Sequence, residues 1–176
     1  MSDRVVRQDN SMNRPNSSMQ LTRAADYAVR VMIQLASLPP DARVSLPSLA
    51  RATGAPESFL SKVLQGLARS GLISSQRGQS GGFRIAPRGR QASMLQVIEA
   101  IDGAICLNVC LMHGRSCPRK ARCPAHPVWD RAQQAMLQVL SGVSIAAMAA
   151  QESPAKPGHS ASGVHVLALP AKATRR

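Results

Sequence analysis

The chain has 176 residues, 44% of them hydrophobic but only 2% aromatic, so one domain with tails is expected and its core must be built from Leu, Val, Ile, Met and Ala. The net charge is +13; residues 21–150 hold 15 Lys+Arg and 6 Asp+Glu, so +9 falls in the expected folded part and points to a polyanionic partner, double-stranded DNA first, with a ribosomal or membrane-surface protein as the plainer alternative. The lack of any run of about 18 apolar residues argues against a membrane span, and the polar start MSDRVVRQDNSMNRPNSS lacks the apolar stretch of a secretory signal, so a cytoplasmic setting with reduced thiols is expected.

Residues 1–18 read as a disordered N-terminal extension. An amphipathic helix then opens at Leu21-Thr22, with Ala25, Ala28, Val29, Met32, Ile33 and Ala36 at helical spacing, Thr22 as N-cap, and Pro39-Pro40 as the stop. A short helix fits residues 45–53 with Ser45 as N-cap and Gly54 as breaker; a third fits residues 56–70, burying Leu60, Val63, Leu64 and Leu67 and ending at Gly71. Helix, glycine turn, helix is the pattern of a helix-turn-helix, whose second helix enters a major groove. On that helix Ser58, Ser61, Lys62 and Gln65 suit base edges and phosphates, although a solvated face reads the same way.

Two β-prone runs, around Ile73 and around Phe83 to Ile85, flank Gly78-Gln79-Ser80-Gly81-Gly82 and predict a hairpin with a flexible tip. A basic hairpin directly after a helix-turn-helix is a wing. Arg77 at its tip is the candidate minor-groove contact, with Arg84, Arg88 and Arg90 close by. The tip lacks the GxxxxGK[ST] pattern of a phosphate loop. Ser93 and Gln96 form a capping box for a helix to about residue 102, with Leu95, Ile98 and Ile101 buried and Gly103 ending it. Pro127 opens a last helix whose Val128, Ala132, Ala135, Met136 and Val139 share a face widened by Trp129 and Leu140; this reads as a dimerisation helix over residues 127–150, the plainer option being packing on its own domain. SIAAMAA adds at most a short turn, and residues 151–176 read as a disordered basic tail.

Between these helices, residues 104–126 hold all four cysteines, spaced C106-x3-C110-x6-C117-x5-C123, with His126 just beyond. Zinc ligands usually come in C-x2–4-C pairs, and only Cys106 and Cys110 make one. Iron–sulfur clusters accept wider loops. The spacing leaves cluster, zinc site and redox thiols open. No nucleotide fingerprint and no nucleophile–base constellation is present, and residues 21–150 hold only six carboxylates, so an enzyme is not expected.

From Met19 to about residue 149 the chain resembles the IscR/NsrR/RirA family (the Rrf-two type) of bacterial winged-helix iron–sulfur transcriptional regulators. The matching pieces are MQLTRAADYAVRVMIQLA, LARATGAPESFLSKVLQGLARSGLISSQRGQSGGFRIA and CLMHGRSCPRKARCPAHPVW, in that order. The resemblance implies a mainly α fold with a small β-hairpin: a winged helix-turn-helix domain over residues 19–103, a cluster loop over 104–126 and the dimerisation helix. It implies a homodimer on a two-fold operator, most often a repressor, that senses cluster status, nitric oxide or redox and iron state. Cys110, Cys117 and Cys123 match the three cysteines that hold a [2Fe-2S] or [4Fe-4S] cluster; Cys106 lies outside the pattern. For the fourth ligand His126 matches the histidine of the iron–sulfur-biogenesis branch. Asp26 matches the acidic residue that the other subunit's first helix supplies in the nitric-oxide branch. Each has a plainer role, Asp26 at a helix N-terminus and His126 as a cap. The alternative is a winged-helix regulator whose loop is a structural zinc site or a thiol switch.

Overall fold

The computed structural model describes residues 21–78, 81–112 and 117–151; the extension expected at 1–18 and the tail beyond residue 151 lie outside them. Helix α1, Arg23–Ala36, starts where Thr22 Oγ1 accepts the Ala25 amide at 3.2 Å. Its buried side chains are Ala25, Ala28, Val29, Val31, Met32, Leu35 and Ala36. The expected stripe omits Val31 and Leu35 and includes Leu21 and Ile33, of which Leu21 is exposed and Ile33 half-buried. The difference has a packing cause: α1 is not a surface helix with one covered face. It is touched by α2 (Leu46–Thr53), α3 (Glu57–Arg69), α5 (Met94–Asp102) and α7 (Ile145–Gln151).

Ser45 caps α2 by accepting the Ser48 amide, and Gly54 closes it in the left-handed region at φ 70°. Leu60, Val63, Leu64 and Leu67 of α3 are all buried, as the spacing predicts. Burying each such side chain is worth roughly 1.5–3 kcal/mol, so α3 is fixed by one face and its other face is free. Strands β1, Ile73–Gln76, and β2, Gly82–Ile85, pair antiparallel from Ile73↔Ile85 to Gln76↔Gly82 and form the wing. Val44, in the α1–α2 link, exchanges two 2.9 Å backbone bonds with Phe83 and extends the hairpin by one bridge. Gly82 is required there: a Cβ would stand 2.8 Å from the Val44 carbonyl oxygen.

A short helix, α4, Pro87–Gln91, follows the wing; Pro87 at its first turn is the signal for it. The capping box of Ser93 and Gln96 starts α5 as expected. Within α5, Ile98 is buried together with Val97, whereas Leu95 and Ile101 are half-buried. Helix α6 runs His126–Ser141. The single dimerisation unit expected over residues 127–150 is divided: the chain leaves α6 at Gly142, turns, and forms α7, a seven-residue helix rather than one turn. Helix α7 belongs to the core, with Ile145 fully buried and Ala149 nearly so. Its start is sewn to the start of α5 by Met94 N–H to Val143 O at 3.0 Å and Ile145 N–H to Ala92 O at 2.8 Å.

Candidate nucleic-acid interface and cysteine loop

Ser58, Lys62 and Gln65 are exposed on the face of α3 opposite its buried stripe, and Ser61 is half-buried on the flank. Arg77 is exposed just past β1, with no hydrogen bond or ion pair among the described residues. The basic group expected around the wing is divided. Arg84 is held to the hairpin, its Nε donating to Ser74 Oγ at 2.9 Å and its Nη1 lying 3.3 Å from Asp41. Arg90 donates from Nη1 to the Ala36 carbonyl at 2.8 Å and from Nη2 to the Leu38 carbonyl at 2.9 Å, so it closes the C-terminus of α1. Its role in the fold is missed by sequence reading, because adjacency to the wing says nothing about which way a guanidinium turns.

At the other end of α1, Asp26 pairs with Arg30 one turn on, at 2.9 Å, both side chains about half exposed. The Arg30 guanidinium lies 5.9 Å from the Tyr27 ring centroid. Tyr27 meets Phe59 of α3 edge-on, at 5.8 Å and 70°. Thr22 is also clasped from outside its helix, its Oγ1 donating to Asp102 Oδ1 at 2.6 Å and its amide to Oδ2 at 3.2 Å. Asp102 ends α5 immediately before the cysteine loop, so the start of the loop is tied to the start of α1.

The described parts of the loop, residues 104–112 and 117–125, are turns and short 3-10 segments, as a composition of Pro and basic residues predicts. Cys110 sits in a 3-10 turn, Val109–Leu111; the Cys117 carbonyl accepts the Lys120 amide at 3.0 Å; Cys123 ends a second turn, Lys120–Arg122, and its carbonyl accepts the His126 amide at 3.2 Å. All four cysteines are half-buried free thiols, and Cys106 Sγ lies 4.0 Å from the Leu111 carbonyl. Gln133 Oε1 accepts the Leu107 amide at 3.0 Å and fastens the loop to α6. His126 is half-buried in the first turn of α6 without acting as its cap; Ala125 holds that position. Among the described residues no three His, Cys, Asp or Glu side chains come together as a metal-holding group. The sequence-selected ligands thus share a loop, or in the case of Asp26 a helix tied to it by Asp102, without being gathered.

Helix α6 presents Val128 and Val139 to solvent at 65% and 69% exposure, with Ala132 and Ala135 exposed between them and Met136 half-buried. Trp129 and Leu140, expected to widen that face, are half-buried near Gln133, the one buried residue of α6. They lie toward the chain's own domain, because residues four and seven positions away from Gln133 share its side of a helix.

The Rrf2 family model, described as an iron-dependent transcriptional regulator, matches residues 21–151. The chain belongs to the Rrf2 family. This Rrf2 regulator is 30% identical over 129 residues to the HTH-type transcriptional regulator NsrR of Geobacillus kaustophilus, covering 73% of this chain and 88% of that one. Its fold matches the structure of IscR from T. potens with a TM-score of 0.58 and 25% identity, over 82% of this chain and 93% of that one. It also matches CymR, the global cysteine regulator of B. subtilis, with a TM-score of 0.62 and 23% identity, over 76% and 98% of the two chains. This Rrf2 chain is therefore a transcriptional regulator, mainly helical with a two-stranded wing, and not an enzyme. No helix among its described residues is long and apolar enough to cross a membrane. The donor set of its loop fits an iron–sulfur cluster chemically: Cys110, Cys117 and Cys123 are uncrosslinked soft donors outside any α-helix.

Proposed function

We propose that this protein is a cytoplasmic, dimeric, DNA-binding repressor that senses through an iron–sulfur cluster of the [2Fe-2S] or [4Fe-4S] type. Cys110, Cys117 and Cys123 hold the cluster, with His126 or Asp26 of a second subunit as the weaker fourth ligand. The observation that carries the reading is the placement of the cysteine loop. It leaves α5 beside the Asp102–Thr22 clasp and reaches α6 through the Leu107–Gln133 bond, so it joins the DNA-reading domain to the helix with an uncovered apolar face. The cluster would supply a thiolate-held centre open to nitric oxide, oxygen or iron loss.

The rest of the mechanism belongs to the chain. Cys110, Cys117 and Cys123 would hold the cluster in the stretch between the Asp102–Thr22 clasp and the Leu107–Gln133 bond. This stretch links α1 at one end to α6 at the other, so a change in the loop would reach both. Two recognition helices joined through α6 then change their spacing on a two-fold operator. Lys62 and Arg77 supply phosphate and minor-groove contacts, and Ser58, Ser61 and Gln65 face base edges.

The test is an anaerobic visible spectrum with matched DNA-binding titrations of cluster-loaded and cluster-free protein. Thiolate-to-iron absorption and different affinities for one operator are expected. Cys117→Ala should lose the colour and keep the fold; a full cluster in that variant overturns the ligand assignment, and equal affinities overturn the sensor. The second reading, a zinc site or thiol switch, is favoured by Cys106, whose sulfur folds back onto the Cys110 turn. Colourless protein with stoichiometric zinc, or reversible thiol oxidation that alters DNA binding, would select it.

A further inference from the structure

We infer that Phe59 is a specificity-determining residue that reads the C5-methyl group of a thymine in the major groove; the inference rests on the DNA-binding reading above. The chain spends only four residues on aromatics: Tyr27, Phe59, Phe83 and Trp129. Three are half-buried, and Phe59 alone is exposed, at 37%. It is the third residue of α3, in the N-terminal part from which a recognition helix contacts base edges. The core does not need it there, since Leu60, Val63, Leu64 and Leu67 already fill the buried stripe. On the helix surface it lies one turn from Lys62, which is exposed, as is Ser58 before it in the chain.

The ring is also held in place. One side meets the Tyr27 ring edge-on at 5.8 Å, Tyr27 is backed by Arg30 at 5.9 Å, and Arg30 is anchored on Asp26 at 2.9 Å. A ring braced on one side and wet on the other presents a rigid apolar surface among hydrogen-bonding neighbours. In the major groove the apolar feature of a base pair is the thymine methyl, and phenylalanine is among the side chains that meet it. Ser58 and Lys62 then serve adjacent polar edges and phosphates, while Phe59 distinguishes thymine from cytosine at one position.

The test uses the full chain and duplexes it selects from a random-sequence library. Each thymine of the selected duplex is replaced in turn by deoxyuridine, which removes only the methyl group. At one contacted thymine the wild type should lose about fourfold in affinity, the equivalent of one apolar carbon's ~0.8 kcal/mol. Phe59→Ala should be insensitive to that replacement, and Phe59→Leu should keep part of the sensitivity. A wild type indifferent to every thymine methyl overturns the inference without recourse to any variant. So does a Phe59→Ala protein that weakens equally on selected and random duplexes while keeping the wild-type uracil response, which would make Phe59 a brace for α3. A chain that retains no duplex at low salt overturns the DNA-binding reading itself, a distinguishable result.

Discussion

Two arginines near the wing separate what holds the fold from what meets a partner. Arg90 spends two guanidinium bonds on the Ala36 and Leu38 carbonyls at the end of α1, and it is half-buried there. Charge-assisted bonds of this sort contribute about 1.5–3 kcal/mol. Arg90→Ala should therefore lower the unfolding free energy measured by urea denaturation by that amount while leaving the affinity of the folded fraction for DNA unchanged. Arg77 is exposed and makes no hydrogen bond or ion pair among the described residues. Arg77→Ala should leave stability within about 0.5 kcal/mol of wild type. It should also weaken duplex binding and reduce the slope of log affinity against log salt by about 1. If the two phenotypes were exchanged, the division of the wing's basic residues would be wrong. Sequence reading places four arginines in one cluster because they are close in the chain. Only the fold shows that Arg84 and Arg90 turn back to an aspartate and two carbonyls.

At the scale of elements, legibility followed periodicity and caps. Thr22, Ser45 and the Ser93–Gln96 box mark three helix starts correctly, because a side chain three residues from its amide target is a local fact. The stripe of α3 is readable because one face alone is covered. The stripe of α1 is not, because five helices touch it, and α4 is short enough that a single proline is its only signal. The cysteine loop is legible as chemistry and not as geometry: the sequence offers four thiols and the family resemblance picks out Cys110, Cys117 and Cys123, but no local rule of capping or periodicity brings them together. Helix α6 makes its own prediction. Val128 and Val139 are two-thirds exposed, so replacing either with glutamate removes nothing from the monomer's core. Val139→Glu should leave the thermal midpoint of the winged domain nearly unchanged. In sedimentation it should shift the protein from dimer to monomer, with loss of the extra affinity a two-fold operator confers. A Val139→Glu protein that remains a dimer would assign the interface elsewhere.

Across the whole molecule, the chain order and the packing order differ, and that difference defines how the parts are coupled. The wing, α4 and α5 do not complete the DNA-reading domain. Completion waits for α7, which arrives only after the cysteine loop and α6 have been traversed. The excursion is fixed at the two ends of α5: its start by the Asp102–Thr22 clasp, its end by the Met94–Val143 and Ile145–Ala92 backbone bonds. The loop and α6 are thus an arm inserted into the domain rather than a tail hung on it, attached at both ends of α5. Ile145 is the sharpest probe of this arrangement, being fully buried in the core shared with Met32, Leu35 and Ile98. Ile145→Ala deletes buried apolar volume that α1 and α5 cannot easily refill, a change that costs about 2–4 kcal/mol. Because a domain of this size unfolds cooperatively, the loss should appear as one shifted transition, seen alike by far-ultraviolet circular dichroism and by duplex binding. A chain ending at Ser141, which keeps every helix and strand of the winged domain as the sequence alone would bound it, should be less stable still. Should Ile145→Ala instead match Val139→Ala to within about 0.5 kcal/mol, α7 would be a peripheral helix and the arm would be anchored at its α5 end only.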